Sequence, residues 1–399
     1  MKDSRVFAID AFRAITMVLM LFVNDIPGIS NIPAWLAHAD TFEDRLGFSD
    51  IVFPAFLFAV GLSIPLAISK RKSKGDNTGV ILWHIFERTA ALIIMGLFMM
   101  NSSYLDASAA GYPKSLYTYL MVFGIFLLWN VYPKSKSGYL KYLVPALKTL
   151  GAAMFVFLLV TFKGKDGQPF APHWWGILGL IGWAYLFNAL ASLWSGMNLK
   201  RTMVVWGAFI ALTLLHSSKV IEFQFLSQHL THSSFVASGM LASVWMNKCA
   251  SEKKDFWTMF SVLTGTFGMA ALVAFFVCHH FSGSGAEVNN AWIISKNLAT
   301  PTWLFLCTAM FFPAVGLLYG LCDMKNKRKW FAVIAPAGTA TLTCYMIPYL
   351  WYRVMGDLGL HYPDILCSGV PGLLRSFVFS LVIVWIAGAF VKIGIKLKI

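Results

Sequence analysis

Residues 49–69 read SDIVFPAFLFAVGLSIPLAIS, and residues 70–74, which follow at once, read KRKSK. The first string holds one ionisable side chain, Asp50, at its start, and then enough apolar residues to cross a hydrocarbon core about 30 Å thick. The second is a cationic block of the kind retained on the cytoplasmic side of a bilayer. Read together they predict a transmembrane helix with its end inside. Ser49 or Asp50 is expected to cap its first turn, and Pro65 to kink or loosen its inner end. Gly61 and Ser63 suit close helix packing or a polar lining.

The same pattern recurs along all 399 residues. Apolar stretches lie near 10–27, 50–69, 80–100, 117–132, 142–161, 175–194, 202–216, 233–247, 257–278, 301–321, 330–350 and 372–391. The stretch at 202–216 is short and that at 233–247 is weakly apolar. The expected fold is therefore all-α: a polytopic integral membrane bundle of about 11–12 transmembrane helices, forming one domain over 1–399. About two-thirds of the 32 lysines and arginines fall in alternate gaps, in clusters such as Lys70, Arg71, Lys72 and Lys74, or Lys325, Lys327, Arg328 and Lys329. That asymmetry predicts that both termini are cytoplasmic. The stretch that includes Asp10, Arg13, Asn24 and Asp25 lacks a small-x-small cleavage site and reads as a retained helix.

Composition agrees: 58% of residues are hydrophobic, 13% are charged and the mean hydropathy is +0.67. The net charge of +14 sits in short clusters between apolar spans rather than on a groove, which argues for anionic lipid and against nucleic acid as the partner. Six cysteines without a CxxC pair give no metal framework, although Cys278 and Cys367 fall on the same side and allow one disulfide. The segments predicted to face outward are long and rich in His, Trp, Asn and Pro, which points to a polar acceptor handled there.

Polar residues inside such spans mark candidate sites. Asp10 and Arg13, three apart, can pair at the inner end of the first helix or offer a cation to a phosphate-bearing ligand. Asn24 and Asp25 stand at its outer end, where Pro27 and Gly28 should stop the helix. Trp35, His38, Asp40, Glu43, Asp44 and Asp50 follow. His38 can exchange a proton near neutral pH, and a neighbouring carboxylate can fix its tautomer; a surface or structurally bonded histidine is the plainer alternative. His84 and Arg88, four apart, share a face, and Arg88 can instead pair with Glu87. His229, His232, His279 and His280 are expected at headgroup level. Glu222 and Glu287 suit the outer rim, and Trp35, Trp174, Trp175, Trp292, Trp303 and Trp351 suit an interfacial belt.

The first third of the chain resembles the heparan-alpha-glucosaminide N-acetyltransferase family and its bacterial DUF5009-like branch, within the transmembrane acyltransferases. The resemblance rests on Ile9-Asp10-Ala11-Phe12-Arg13, on Met20 to Asp25, on the loop histidine His38, on Ser49 to Pro54, and on Gly61-Leu62-Ser63-Ile64. His84 to Arg88, Ser295 to Trp303 and Gly338 to Tyr345 are further echoes. Dense matching is confined to the first hairpin, about 8–70.

The resemblance implies an enzyme of a bacterial cytoplasmic membrane that moves acetyl from cytoplasmic acetyl-CoA to an amino sugar or other glycan acceptor outside. The family's essential histidine falls on His38, with Asn24 and Asp50 as its catalytic companions. Asp10, Arg13, His84 and Arg88 would hold the donor, and Asp25, Trp35, Lys296 and Asn297 the acceptor. No metal is implied, a homodimer is compatible, and direct transfer and an acetyl-histidine route both fit. The chain departs from the family at Ala14, where a glycine is usual, and at Ser115 to Gly124, which lacks the family's arginine. Twelve spans with both ends inside also suit a transporter of sugars or sugar derivatives, or a flippase-like partner of envelope assembly.

Overall fold

The computed structural model describes residues 6–133, 138, 140–221, 227–283 and 289–399. Lys2, Arg5, Lys134 and Lys136 of the charge pattern, and the rim candidates Glu222 and Glu287, lie outside the described residues. Among the described residues the fold is all-α, with isolated β-bridges and no sheet. Nine helices there are long and apolar enough to cross a membrane. In our numbering these are α1 (Phe7–Asp25), α2 (Ser49–Ser73), α3 (Thr78–Tyr104), α5 (Leu140–Thr161), α6 (Ile177–Ser195), α7 (Leu199–Ser217), α9 (Phe256–His280), α10 (Pro301–Met324) and α12 (Gly369–Lys392). Three more segments complete the set: the short α4 (Lys114–Trp129), the polar α8 (Ser227–Ser251) and α11, a pair Lys329–Thr339 and Thr341–Asp357 bent by 73°. Each coincides with one apolar stretch of the sequence.

The weakness of α8 as an apolar segment has a packing cause. Every residue from 229 to 244 is buried in the bundle, so α8 needs no lipid-facing surface. It crosses α2 at Gly61 and Gly239, where a β-carbon would collide with the carbonyls of Val236 and Phe58 respectively. His229 and His232 are therefore buried rather than at headgroup level, and the His232 ring sits edge-on to Phe53 and Trp303. Trp303 is likewise fully buried and leaves the expected interfacial belt.

α2 runs unbroken through Pro54 and Pro65. The break that matters is in α11, between Thr339 and Thr341. Non-helical backbone at membrane depth is tolerated where it lines a cavity, and Gly338, Thr339 and Thr341 do so. A β-carbon at Gly338 would press on the Asp10 carbonyl and on Ala14, so this glycine lets the break lie flat against α1. The Asp323 carboxylate of α10 accepts from the first amides of α1, Phe7 N at 2.9 Å and Ala8 N at 2.8 Å, and caps that helix from a distant part of the chain.

Candidate functional site

The loop after α1 folds back over the start of α2. Phe48 N donates to the Trp35 carbonyl at 2.7 Å, and Ser49 Oγ donates to that of Leu36 at 2.6 Å. Asp50 does not cap its own helix. Its Oδ2 accepts from Ala39 N at 2.9 Å and Gly47 N at 3.2 Å, while its Oδ1 lies 2.7 Å from His38 Nδ1. The Asp50 side chain is 3% exposed and that of His38 39% exposed. Two backbone amides fix this buried carboxylate in place. With its proton on Nδ1, the imidazole would donate to Asp50 and keep the lone pair of Nε2.

A second loop supplies a third member. Lys296 Nζ lies 3.5 Å from Asp50 Oδ1 and 3.1 Å from His38 Nδ1, so ammonium and imidazole compete for one carboxylate oxygen. Burial lowers the Lys296 pKa below the usual lysine value, and the Asp50 carboxylate partly offsets this. The two loops are tied together. Ser295 Oγ donates to the Thr41 carbonyl at 2.8 Å, and Asn297 Nδ2 to Thr41 Oγ1 at 3.2 Å. Asp44 accepts from Ile294 N at 2.8 Å and contacts His279 Nε2 at 2.8 Å. Ala299, at φ +52°, takes a left-handed conformation that non-glycine residues seldom adopt, and Thr231 Oγ1 holds its carbonyl at 2.6 Å. Trp303 Nε1 donates to the Asp50 carbonyl at 3.2 Å, joining α10 to the same point.

Below this cluster a cavity of about 290 Å³ lies among α1, α2, α3, α6 and the break in α11. Its walls hold Arg13, Arg88 and Lys398 and no acidic residue, and its shaft is apolar, with Met17, Met20, Phe56 and Leu92 among its residues. Arg13 donates to Ser63 Oγ at 2.5 Å and to the Gly338 carbonyl at 3.1 Å, with Asp10 at 3.6 Å. The Arg88 guanidinium lies 4.7 Å from the centre of the Tyr185 ring. It does not pair with Glu87, which instead contacts His84 at 3.4 Å. His84 is absent from the cavity wall, so the face shared by positions 84 and 88 does not bring both to it.

The cavity does not reach His38. Its outermost residues on α1 and α2 are Met20 and Phe56. At 1.5 Å of rise per residue these lie about 6 Å short of Asn24 and about 9 Å short of Asp50. Arg13, Met17, Met20 and Asn24 follow one another at helical spacing, so Asn24 continues the cavity face of α1 toward the outer end. Asn24 is exposed there.

Asp25 is placed elsewhere. Its buried carboxylate accepts from Tyr352 at 2.5 Å, from Arg375 at 2.9 Å and from Ser376, which ties α1 to α11 and α12. A lone arginine within an apolar span calls for a carboxylate, so Arg375 was the sequence signal for this pair. Trp35 is 60% exposed on the outer surface. Cys278 and Cys367 are free thiols. Among the described residues no group of three or more His, Cys, Asp or Glu side chains is placed to hold a metal.

Residues 5–219 match the family described as domain of unknown function DUF5009. Heparan-alpha-glucosaminide N-acetyltransferase of Homo sapiens is 34% identical over 101 residues, which is 25% of this chain and 14% of that protein. The Mus musculus protein of the same name is 32% identical over 101 residues, 25% of this chain and 15% of its own length. The matched region thus spans about a seventh of these relatives. The profile match extends over more than half of the chain, and the protein belongs to the DUF5009 family.

Proposed function

We propose that this protein is a membrane acetyltransferase. It takes acetyl from acetyl-CoA at the basic, cytoplasmic face and delivers it to an amino sugar or related glycan outside a bacterial cytoplasmic membrane. The observation that carries the reading is the face of α1. It starts at Arg13 in a cavity lined also by Arg88 and Lys398 and ends at Asn24, at the same outer end as the His38–Asp50 pair. The printed name of the two relatives supports the reaction class. With so little of their length matched, their acceptor is not carried over.

The residues fit such a donor. Arg13, Arg88 and Lys398 would hold its phosphates near the inner mouth, and the apolar shaft would take the narrow acyl-bearing arm. His38 Nε2 then accepts the proton that leaves the acceptor nitrogen as the new N–C bond forms. The C–S bond breaks, its electron pair leaves on sulfur, and the imidazolium or water returns a proton to release the thiol. Asn24 would donate to the oxygen that gains charge in the transition state. Asp50 keeps the imidazole in the required tautomer, and Lys296 keeps Asp50 oriented. A two-step route through acetyl-histidine uses the same lone pair.

Purified protein in sealed vesicles tests this. Labelled acetyl-CoA is supplied on the basic side and a panel of amino sugars on the other. We expect acetylated sugar on one side and free CoA thiol on the other. Uptake of intact sugar with no acetylated product would replace the reading with transport.

A further inference from the structure

Beyond α12 the chain does not leave the bundle. Gly394, at φ +86°, turns it back, a conformation that favours glycine, and Ile395 N closes on the Phe390 carbonyl at 2.8 Å. The next residues form a strap across one end of α4 and α11. Lys396 N donates to Asn130 Oδ1 at 2.7 Å, and the Lys396 carbonyl accepts from Val131 N at 2.9 Å. Leu397 N donates to Thr343 Oγ1 at 3.0 Å, and Lys398 N donates to the Trp129 carbonyl at 3.0 Å. Leu397 is buried. Four backbone contacts and one buried side chain fix the path of the strap and set Leu397, Lys398 and Ile399 into the cavity wall.

The strap thus changes the electrostatics of the cavity. Lys398 is exposed at its mouth and adds a cation to Arg88 and to Arg13, the last of which has Asp10 at 3.6 Å. Lys396, two residues earlier, points elsewhere and is not part of the wall. Arg88 and Lys398 have no acidic side chain in the wall beside them, and one cation at the rim with others deeper suits a ligand whose negative charge is concentrated at one end.

We propose that the strap is part of the donor site, and that Lys398 is a phosphate-binding residue contributing to affinity rather than to the chemical step. The inference rests on the donor reading of the cavity given above. It assigns the anionic end of the ligand to the strap side and its acyl end to the Met20–Phe56 side.

The test is equilibrium binding of CoA to the purified full-length protein in detergent, by calorimetry, at fixed ionic strength. Lys398→Gln keeps the backbone bond to Trp129 and should weaken CoA binding about 5- to 20-fold, the range for losing one partly exposed charge-assisted contact. Lys398→Arg should restore most of it, and Lys396→Gln should bind as the wild type does. Equal affinity of wild type and Lys398→Gln overturns the strap assignment and leaves the donor reading standing. An equal loss in Lys396→Gln overturns it too, because general charge near the mouth would then suffice. Failure of the wild type to bind CoA removes both.

Discussion

The two ends of the cavity face of α1 are built in opposite ways. At the outer end, polar groups are closed on one another: His38, Lys296 and two backbone amides converge on one buried carboxylate, and two loops are tied over it. At the inner end, Arg13 keeps Asp10 at 3.6 Å, whereas Arg88 rests on an aromatic ring with no carboxylate partner among the described residues. The outer arrangement suits a step in which a proton must move along a fixed path. The inner one suits a ligand that supplies the missing negative charge. Substitutions at the outer end are therefore expected to act on turnover and those at the inner end on donor affinity.

The largest effect is expected from His38→Ala. Removing a general base costs about 10²- to 10⁴-fold in kcat, with folding intact by size-exclusion profile because the ring is partly exposed. Turnover within a few-fold of wild type would remove the outer end from the chemistry. Asp25→Ala comes next and sharpens the contrast, because Asp25 adjoins Asn24 yet is bound to Tyr352, Arg375 and Ser376. Leaving Arg375 buried without its partner should cost about 3–5 kcal/mol, read as a large drop in Tm; an unchanged Tm with lost acceptor affinity would return Asp25 to the acceptor site. Arg88→Gln should raise the KM for acetyl-CoA about 10-fold while kcat changes little, the loss of one charged contact. An equal fall in kcat would merge the two ends into one site.

The smallest effect concerns pH. Burial lowers the Lys296 pKa, so between that value and 10.5 the unfolded chain holds a proton that the folded protein has shed. Stability therefore rises with pH across that window, as the cost of burying the ammonium is relieved. Activity should move the other way, because neutral Lys296 no longer holds Asp50. Lys296→Met should abolish this alkaline limb, and a limb that persists would trace it to another group.

Much of the site was legible because its parts are close in sequence. Asn24, His38 and Asp50 sit within one hairpin, and a histidine beside carboxylates in an apolar chain invites the pairing that the fold provides. Which carboxylate would be chosen was not legible. Asp44 instead meets His279 at the end of α9 and the backbone amide of Ile294. Lys296 was legible as a candidate but not as a neighbour of the His38–Asp50 pair, since 258 residues separate it from His38. His84 and Arg88 share a helix face, yet only Arg88 lines the cavity while His84 contacts Glu87, because neighbouring positions on one face can divide between a cavity and the surface.

The sequence by itself determined that the chain crosses a membrane many times, and where. Uncharged stretches of sufficient length have no other stable place, and cationic gaps mark their ends. Tertiary structure alone decided which polar groups meet. It buried α8 so completely that its polarity costs nothing against lipid, paired Asp25 with Arg375 across 350 residues, and turned Lys398 back into the cavity. Helix formation depends on neighbours a few residues away, whereas these contacts depend on how the helices pack, which no local pattern encodes.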